Sequence, residues 1–459
     1  MPDGRVLSYG TKPDGTQTGF FNYDVWDPKL GLGAGHFLLP NVTSVDLFCS
    51  AQLVLPQSGD LLMLGGDNWT GSSTTNTGND SSVIFTKASG DHLLLGAKMK
   101  RKRWYATATT LPNGAIYIQG GLGGRDRPEV RSPTAIFRLL SNVNTSALRW
   151  WYPRNFVAPD GRIFGIADRT MYYINWGGNG SYTAAGTMPA NGPSGVTSSE
   201  VMYAPGKILR VGGGAAGSSE GGNGKGAASI IDIGSGAPVV KPIDALPGGV
   251  GFHWLTATVV ADGRVVVTGG SPLNNQTSAG WNKRAYIWNP HGPPQDPGRG
   301  AWTEGAFHDQ APARLYHSIA LLLPDATLLV GGGGAPGPQT NLNAEVYYPP
   351  YLFDTSGQFA GRPTISKAPA SVVIGQPFSL TMSNTNPVKR VTLIKTGSVT
   401  HSFNMDQRFQ ELSFVQNAKV LTVQGPLNAN VAPPGMYLVF AINAQGVPSI
   451  ARIVKFRRS

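Results

Sequence analysis

One short pattern, a strand, a tight turn and a second strand that usually closes on glycines, recurs seven times along this chain. Its copies are MPDGRVLSYG from Met1, LPQSGDLLMLGGD from Leu55, LPNGAIYIQGG from Leu111 and APDGRIFGIA from Ala158, then APGKILRVGGG from Ala204, VADGRVVVTGG from Val260 and LPDATLLVGGGG from Leu323. Each turn carries the Pro, Asp, Asn or Gly that a tight hairpin needs. Several copies lead into an outer-strand pattern such as YDVWDP, AYIWNP or EVYYP. The spacing, roughly fifty residues, is that of kelch-like β-propellers. One unit cannot bury its own faces, so seven copies predict seven four-stranded blades packed around a central channel. The first copy opens directly on its turn. The strand before it, with any targeting segment, is expected to have been lost to truncation, processing or a misassigned start.

After Pro349-Pro350 the repeat stops. From Arg362 the segments SVVIGQPFSLTMS, VKRVTLIKTGSVTHSF, KVLTVQG and GMYLVFAINAQGVPSIARIVKF alternate in polarity between closely spaced turns. They predict an immunoglobulin-like β-sandwich of about one hundred residues. The expected fold is therefore all-β: a seven-bladed kelch-like β-propeller over residues 1–361, then a C-terminal sandwich over 362–459. No run of eighteen apolar residues occurs, so no membrane-spanning helix is predicted.

The formal charge is +11, but Lys and Arg are scattered except in the run Lys98-Met99-Lys100-Arg101-Lys102-Arg103. No nucleic-acid reader module accompanies that run, so no nucleic-acid partner is expected. An attraction to anionic glycans stays open, and a monomer is expected.

The repeats can be aligned on the turn proline, or on Ala261, which replaces it in the sixth copy. Seven residues before each turn lie Cys49, Tyr105, Tyr152, Ser198, Trp254 and His317. Inner strands enter the channel from one end, so these equivalent slots predict a ring at one mouth. Small or aliphatic residues would suit a purely structural slot. Here the ring holds the single cysteine of the chain and one of its seven histidines, with Tyr316 beside His317. A lone cysteine is usually an inert buried residue, but a thiol, phenols and an imidazole together point to a metal or redox site. Imidazole and phenolate suit Cu(II) or Fe(III), whereas Mg²⁺ and Ca²⁺ would want more carboxylates. A second imidazole is wanted, and the repeats do not identify it.

Four segments carry a resemblance. RLYHSIALLLPD around Tyr316-His317 and THSFNMDQRFQEL from Thr400 resemble the tyrosine–histidine segment and the histidine loop of the galactose oxidase and glyoxal oxidase family of copper radical oxidases. DLFCS around Cys49 and RWYATATTLPNG around Tyr105 resemble its thioether-forming cysteine and tyrosine segments, the latter closer to the glyoxal oxidase branch. The resemblance implies one copper ion with Tyr105, His317 and His401 as equatorial ligands. It implies Tyr316 as axial ligand and acceptor of the substrate proton, and a self-made Cys49–Tyr105 thioether that carries a tyrosyl radical. The implied reaction oxidises small aldehydes or primary alcohols with O2 and releases H2O2, in a secreted or extracytoplasmic enzyme. A glycan end group remains an alternative substrate. Non-catalytic alternatives are a kelch-type binding module and a copper-binding relic.

The sequence departs from the family in one place. Galactose oxidase stacks a tryptophan on its crosslinked tyrosine, and the corresponding stretch here, Gly120 to Gly124, contains none. Trp254 is the first candidate for shielding the radical or touching substrate, followed by Trp281 and Trp69. Arg154 and Arg314 lie near the ring but are expected to be solvated or paired. His36, His92, His253, His291 and His308 are expected at the surface or in packing, with His253 a candidate to support the ring. Sequons stand at Asn41, Asn68, Asn144, Asn179 and Asn275.

Overall fold

The computed structural model describes residues 1–70, 73–217, 221–273, 279–292, 298–309, 311–334 and 341–459. Among the described residues, seven antiparallel sets of three or four strands follow one another in chain order, the fifth continuing into a ten-stranded sheet. Blade one comprises Val6–Ser8, Asn22–Trp26 and His36–Pro40, and blade two Ala51–Val54, Leu61–Leu64, Ser82–Thr86 and His92–Leu95. Blade three comprises Trp104–Thr110, Ile116–Leu122, Glu129–Arg131 and Phe137–Leu139, and blade four Arg154–Val157, Ile163–Ala167, Thr170–Asn175 and Ser181–Thr187. Blade five comprises Ser198–Ala204, Lys207–Gly212, Ala228–Asp232 and Val239–Ile243, and blade six Thr256–Val259, Val265–Thr268, Arg284–Asn289 and Ala301–Phe307. Blade seven comprises Ile319–Leu322, Leu328–Gly331 and Ala344–Tyr347.

Four strands per blade hold for blades two to six. Among the described residues, blades one and seven have three. The hairpin of blade one starts at Met1, whose amine donates to the Arg5 carbonyl at 2.7 Å. The last strand of blade seven runs into Pro349-Pro350, which lead the chain away toward the second domain.

Inner strands pack on their neighbours, Trp104–Thr110 against both Ala51–Val54 and Arg154–Val157, and Thr256–Val259 against both Ser198–Ala204 and Ile319–Leu322. With both faces covered, such strands read as continuous apolar or small residues rather than as alternation. Glycines that end the second strands admit the loop of the same blade. A Cβ on Gly66, at φ +121°, would lie 2.3 Å from the Asp46 carbonyl oxygen. One on Gly213, at φ +93°, would lie 2.0 Å from that of Ser194.

The second domain is a sandwich. One sheet pairs Ile365–Lys367, Phe378–Met382, Val420–Val423 and Phe414–Asn417. The other pairs Phe403–Leu412, Val388–Lys395, Gly435–Asn443, Arg452–Arg457 and Ser371–Val373 in that order. Strand Phe403–Leu412 also runs parallel to Ser198–Ala204 of blade five, with Glu200 opposite Phe403 and Met202 opposite Arg408. The sandwich is thus joined to the propeller by backbone pairing, and nine of that strand's ten residues are buried. Lys395 Nζ meets Asp406 at 2.7 Å, and both bond to Thr110 Oγ1 of blade three.

The basic run does not form one surface patch. Lys98 pairs with Asp80 and Arg101 with Asp126, whereas Arg103 is wholly buried against Glu129 at 2.9 Å. Its guanidinium also donates to the carbonyls of Gly120, Gly124 and Arg127, bracing the glycine-rich loop of blade three. Among the sequons, Asn41 is buried and donates to the Gly19 and Val45 carbonyls, so its side chain is engaged inside the fold. Asn144 and Asn179 are exposed, Asn68 is half-buried, and Asn275 lies outside the described residues.

Candidate metal centre

The slot residues share a backbone conformation. Cys49, Tyr105, Tyr152, Trp254 and His317 all take positive φ, from +40° to +71°. L-residues with side chains rarely do so, and each such residue costs about 1–3 kcal/mol unless its surroundings impose it. The imposing contacts run from blade to blade. Tyr105 N donates to the Cys49 carbonyl at 3.1 Å, and Tyr152 N donates to the Tyr105 carbonyl at 2.9 Å. Ser198, the slot of blade five, is not among the positive-φ residues and begins its strand directly.

The chain brings Cys49, Tyr105, Tyr316, His317 and His401 together from four segments. Cys49 Sγ lies 3.6 Å from His317 Nε2 and 3.5 Å from His401 Nε2. The potential ligand atoms of these three residues all fall within 4.8 Å of one another. The Tyr105 and Tyr316 hydroxyls are hydrogen-bonded to each other. His401 arrives from the sandwich, on the turn just before the strand that enters the propeller, and Thr400 Oγ1 bonds its Nδ1 at 2.7 Å. That bond leaves Nε2 aimed at Cys49, the second-partner arrangement that orients ligating imidazoles.

Burial dominates the electrostatics. It holds the imidazole of His401 well below its ordinary pKa, with His317 and Arg154 adding to the effect, so the ring stays neutral and able to ligate. Burial likewise raises the Cys49 thiol and the Tyr105 phenol well above their usual ranges. Two imidazoles, a thiol and two phenols, with no carboxylate in the cluster among the described residues, form a donor set suited to copper rather than to Mg²⁺ or Ca²⁺. A bound cation would oppose the rise in the phenol and thiol values, because it favours the deprotonated ligand.

A flat partner covers one phenol. The Trp151 ring stacks on Tyr105 with centroids 5.2 Å apart and planes 9° from parallel. Trp254 is instead tilted against Tyr316 at 4.7 Å and does not cover Tyr105. Trp281 donates to the Ala311 carbonyl and lies beside Lys283, away from the five side chains, and Trp69 packs edge-on against Phe20. The stacking partner is thus Trp151, one residue before the slot of blade four. The signal available in sequence was the run Trp150-Trp151-Tyr152 abutting a slot.

The remaining candidates are accounted for. Arg154 pairs with Glu200 at 2.8 Å and Arg314 with Glu345 at 3.0 Å. His253 is buried and bonds Thr197 Oγ1 and the Gly222 carbonyl. His36, His92, His291 and His308 are exposed. A cleft of about 540 Å³ reaches Cys49, His317 and His401 between blades one and seven.

Asp46, three residues ahead of Cys49, caps the approach to that slot by accepting from Phe48 N at 2.9 Å. Burial pushes its carboxyl up to about 6, and neighbouring Asp67 adds to the rise against the Phe48 bond. The folded state therefore holds this proton more tightly than the unfolded chain does. Its stabilising effect is complete below about pH 4 and is lost as pH rises through about 6. Asp46→Asn is expected to raise the denaturant midpoint at about pH 8, by the equivalent of about 3 kcal/mol, with little change at about pH 4. An equal midpoint for both proteins at the higher pH would show that Asp46 carries no such penalty.

With this geometry in view, the similarities to known proteins become specific. Residues 362–456 match the family model "Galactose oxidase-like, Early set domain". A galactose oxidase of Gibberella zeae is 28% identical over 491 residues, covering 98% of this chain and 67% of that protein. The aldehyde oxidase GLOX of Vitis pseudoreticulata is 27% identical over 448 residues, covering 89% of this chain and 82% of that protein. Likeness to both galactose oxidase and glyoxal oxidase relatives along most of the chain, with the matched C-terminal family model, supports the resemblance to the galactose oxidase and glyoxal oxidase family. A fungal alcohol oxidase of the AA5 family, solved with copper, shares the fold of this chain at a TM-score of 0.85. It is 24% identical, and the match covers 99% of this chain and 95% of that one.

Proposed function

We propose that this chain is a mononuclear copper radical oxidase that converts small aldehydes or simple primary alcohols with O2, releasing H2O2. The observation that carries the proposal is the meeting of Cys49, Tyr105, Tyr316, His317 and His401, with Trp151 stacked on Tyr105. Tyr105, Tyr316, His317 and His401 are the residues that would hold the metal. Bound copper would supply a one-electron acceptor and a Lewis-acidic seat for the substrate oxygen.

The protein's own groups do the rest. A Cys49 Sγ–Tyr105 ring carbon bond forms as the S–H and ring C–H give up two protons and two electrons to O2, yielding H2O2. The thioether sulfur then makes Tyr105 easier to oxidise to a radical, and Trp151 screens that ring from reaction with solvent. Tyr316, as phenolate, takes the hydroxyl proton of the substrate, a general-base role. An alcohol RCH2OH plus O2 becomes RCHO plus H2O2, and a hydrated aldehyde becomes the acid with the same oxidant and by-product.

Small substrates are favoured because Arg154 and Arg314 are both spent on buried or half-buried ion pairs with Glu200 and Glu345. The relatives include aldehyde oxidases as well as galactose oxidases. In this scheme the propeller over 1–361 is catalytic, and the sandwich over 362–459 lends it His401. A secreted monomer fits that scheme.

The test is to load purified protein with Cu(II) under air and compare intact masses with a His401→Ala variant. Loss of two hydrogens in the parent alone, mapped to joined Cys49 and Tyr105 peptides, is the expected result, with peroxide release on simple aldehydes. A parent that takes up no copper and keeps its mass would sink the oxidase assignment.

A further inference from the structure

His401 and Ser402 are successive residues with side chains in left-handed backbone, at φ +48° and +62°. Nothing local in sequence favours that pair, so the turn has to be imposed by its neighbours. The His401 carbonyl accepts from Arg154 Nη2 at 3.2 Å. The Ser402 carbonyl accepts from Ser199 Oγ at 2.5 Å, and Ser199 Oγ in turn accepts from Ala257 N at 2.9 Å.

Arg154 does more than touch this turn. Its guanidinium also donates to the carbonyls of Tyr152, Val196 and Ser198, so one side chain ties two slots of the ring to the histidine loop. It lies 5.1 Å over the Phe403 ring, directly after the turn. Its Nε pairs with Glu200 Oε2 at 2.8 Å, and Glu200 Oε1 takes Arg210 Nε at 2.7 Å. All three side chains are almost completely buried. A buried cluster of two cations and one anion is costly to desolvate, and exchange for apolar residues is often neutral or stabilising. Its placement against the ligand turn therefore calls for a reason other than stability.

We infer that the Arg154–Glu200–Arg210 cluster positions His401, clamping its turn so that the imidazole nitrogen faces Cys49 and His317. The inference rests on the copper assignment for its function, but the clamp itself can be read without metal. Arg154 and Glu200 act through His401 and touch no reacting group. Lysine at position 154 keeps the charge but loses the planar fork that reaches several carbonyls at once.

Two variants test this, Arg154→Lys and the milder Glu200→Gln, each checked for folding by circular dichroism. In the metal-free protein, backbone hydrogen exchange over residues 399–405 is expected to quicken about tenfold, with the rest of the sandwich unchanged. In the Cu(II)-loaded protein, affinity is expected to fall about 10- to 100-fold, the range for partners that orient ligands, with a shifted Cu(II) electron paramagnetic resonance spectrum. A purely structural role would lower the unfolding midpoint and leave local exchange, affinity and spectrum as in the parent; that result overturns the clamp. A parent that binds no Cu(II) defeats the copper assignment, and the exchange comparison still decides the clamp.

Discussion

Cys49→Ser is expected to fold, to take up copper, and to lose turnover by at least about a thousandfold, equivalent to about 4 kcal/mol of barrier. Serine is smaller than cysteine by little and fits a slot that is 7% exposed. Both imidazole nitrogens and both phenol oxygens would remain, so metal uptake should survive. What disappears is the sulfur that the proposed thioether would bond to the Tyr105 ring. An unmodified phenol in a buried site gives up an electron far less readily than one carrying a thioether. The intact mass should therefore stay unchanged after loading under air, and steady-state peroxide release should collapse. Turnover within a few-fold of the parent would show that Tyr105 works without its neighbour.

Tyr316→Phe separates binding from chemistry. The Tyr316 hydroxyl is bonded to that of Tyr105, and its ring is packed by Trp254 at 4.7 Å, so phenylalanine keeps the packing and removes only oxygen. His317, His401 and Tyr105 still provide three donors. Loss of a positioned base typically costs about 10²–10⁴ in rate. The expected result is a fall of that size in kcat with KM changed little and the thioether still formed. A kcat within threefold of the parent would remove Tyr316 from the role of proton acceptor. Failure to form the thioether would assign it to cofactor assembly instead.

Much of this centre was legible in the chain because a propeller repeats its geometry. Once the hairpins are aligned on their turns, Cys49, Tyr105 and His317 fall into one register, and equivalent positions must converge at one mouth of the channel. Trp151 escaped the alignment because it stands one residue off that register, where no repeat rule says which way a side chain faces. Trp254, in register, packs on Tyr316 and leaves Tyr105 to its neighbour. Arg103 looked like part of a basic stretch, yet it is buried against Glu129, a partner found only when the blade closes around it.

The amino-acid order by itself determined the hairpins, their number and the all-β class, since turn chemistry and short apolar strands are local properties. It also determined which donors are available, because only one thiol exists and few imidazoles do. Tertiary structure decided how those donors meet. The left-handed slots are set by backbone bonds between blades, and non-glycine residues give no local sign of such a conformation. His401 comes from another domain, carried in by a strand that pairs in parallel with blade five across some two hundred residues of sequence. Pairings of that kind are long-range and specified by packing on both partners, so no window of the sequence contains the information that places the second imidazole.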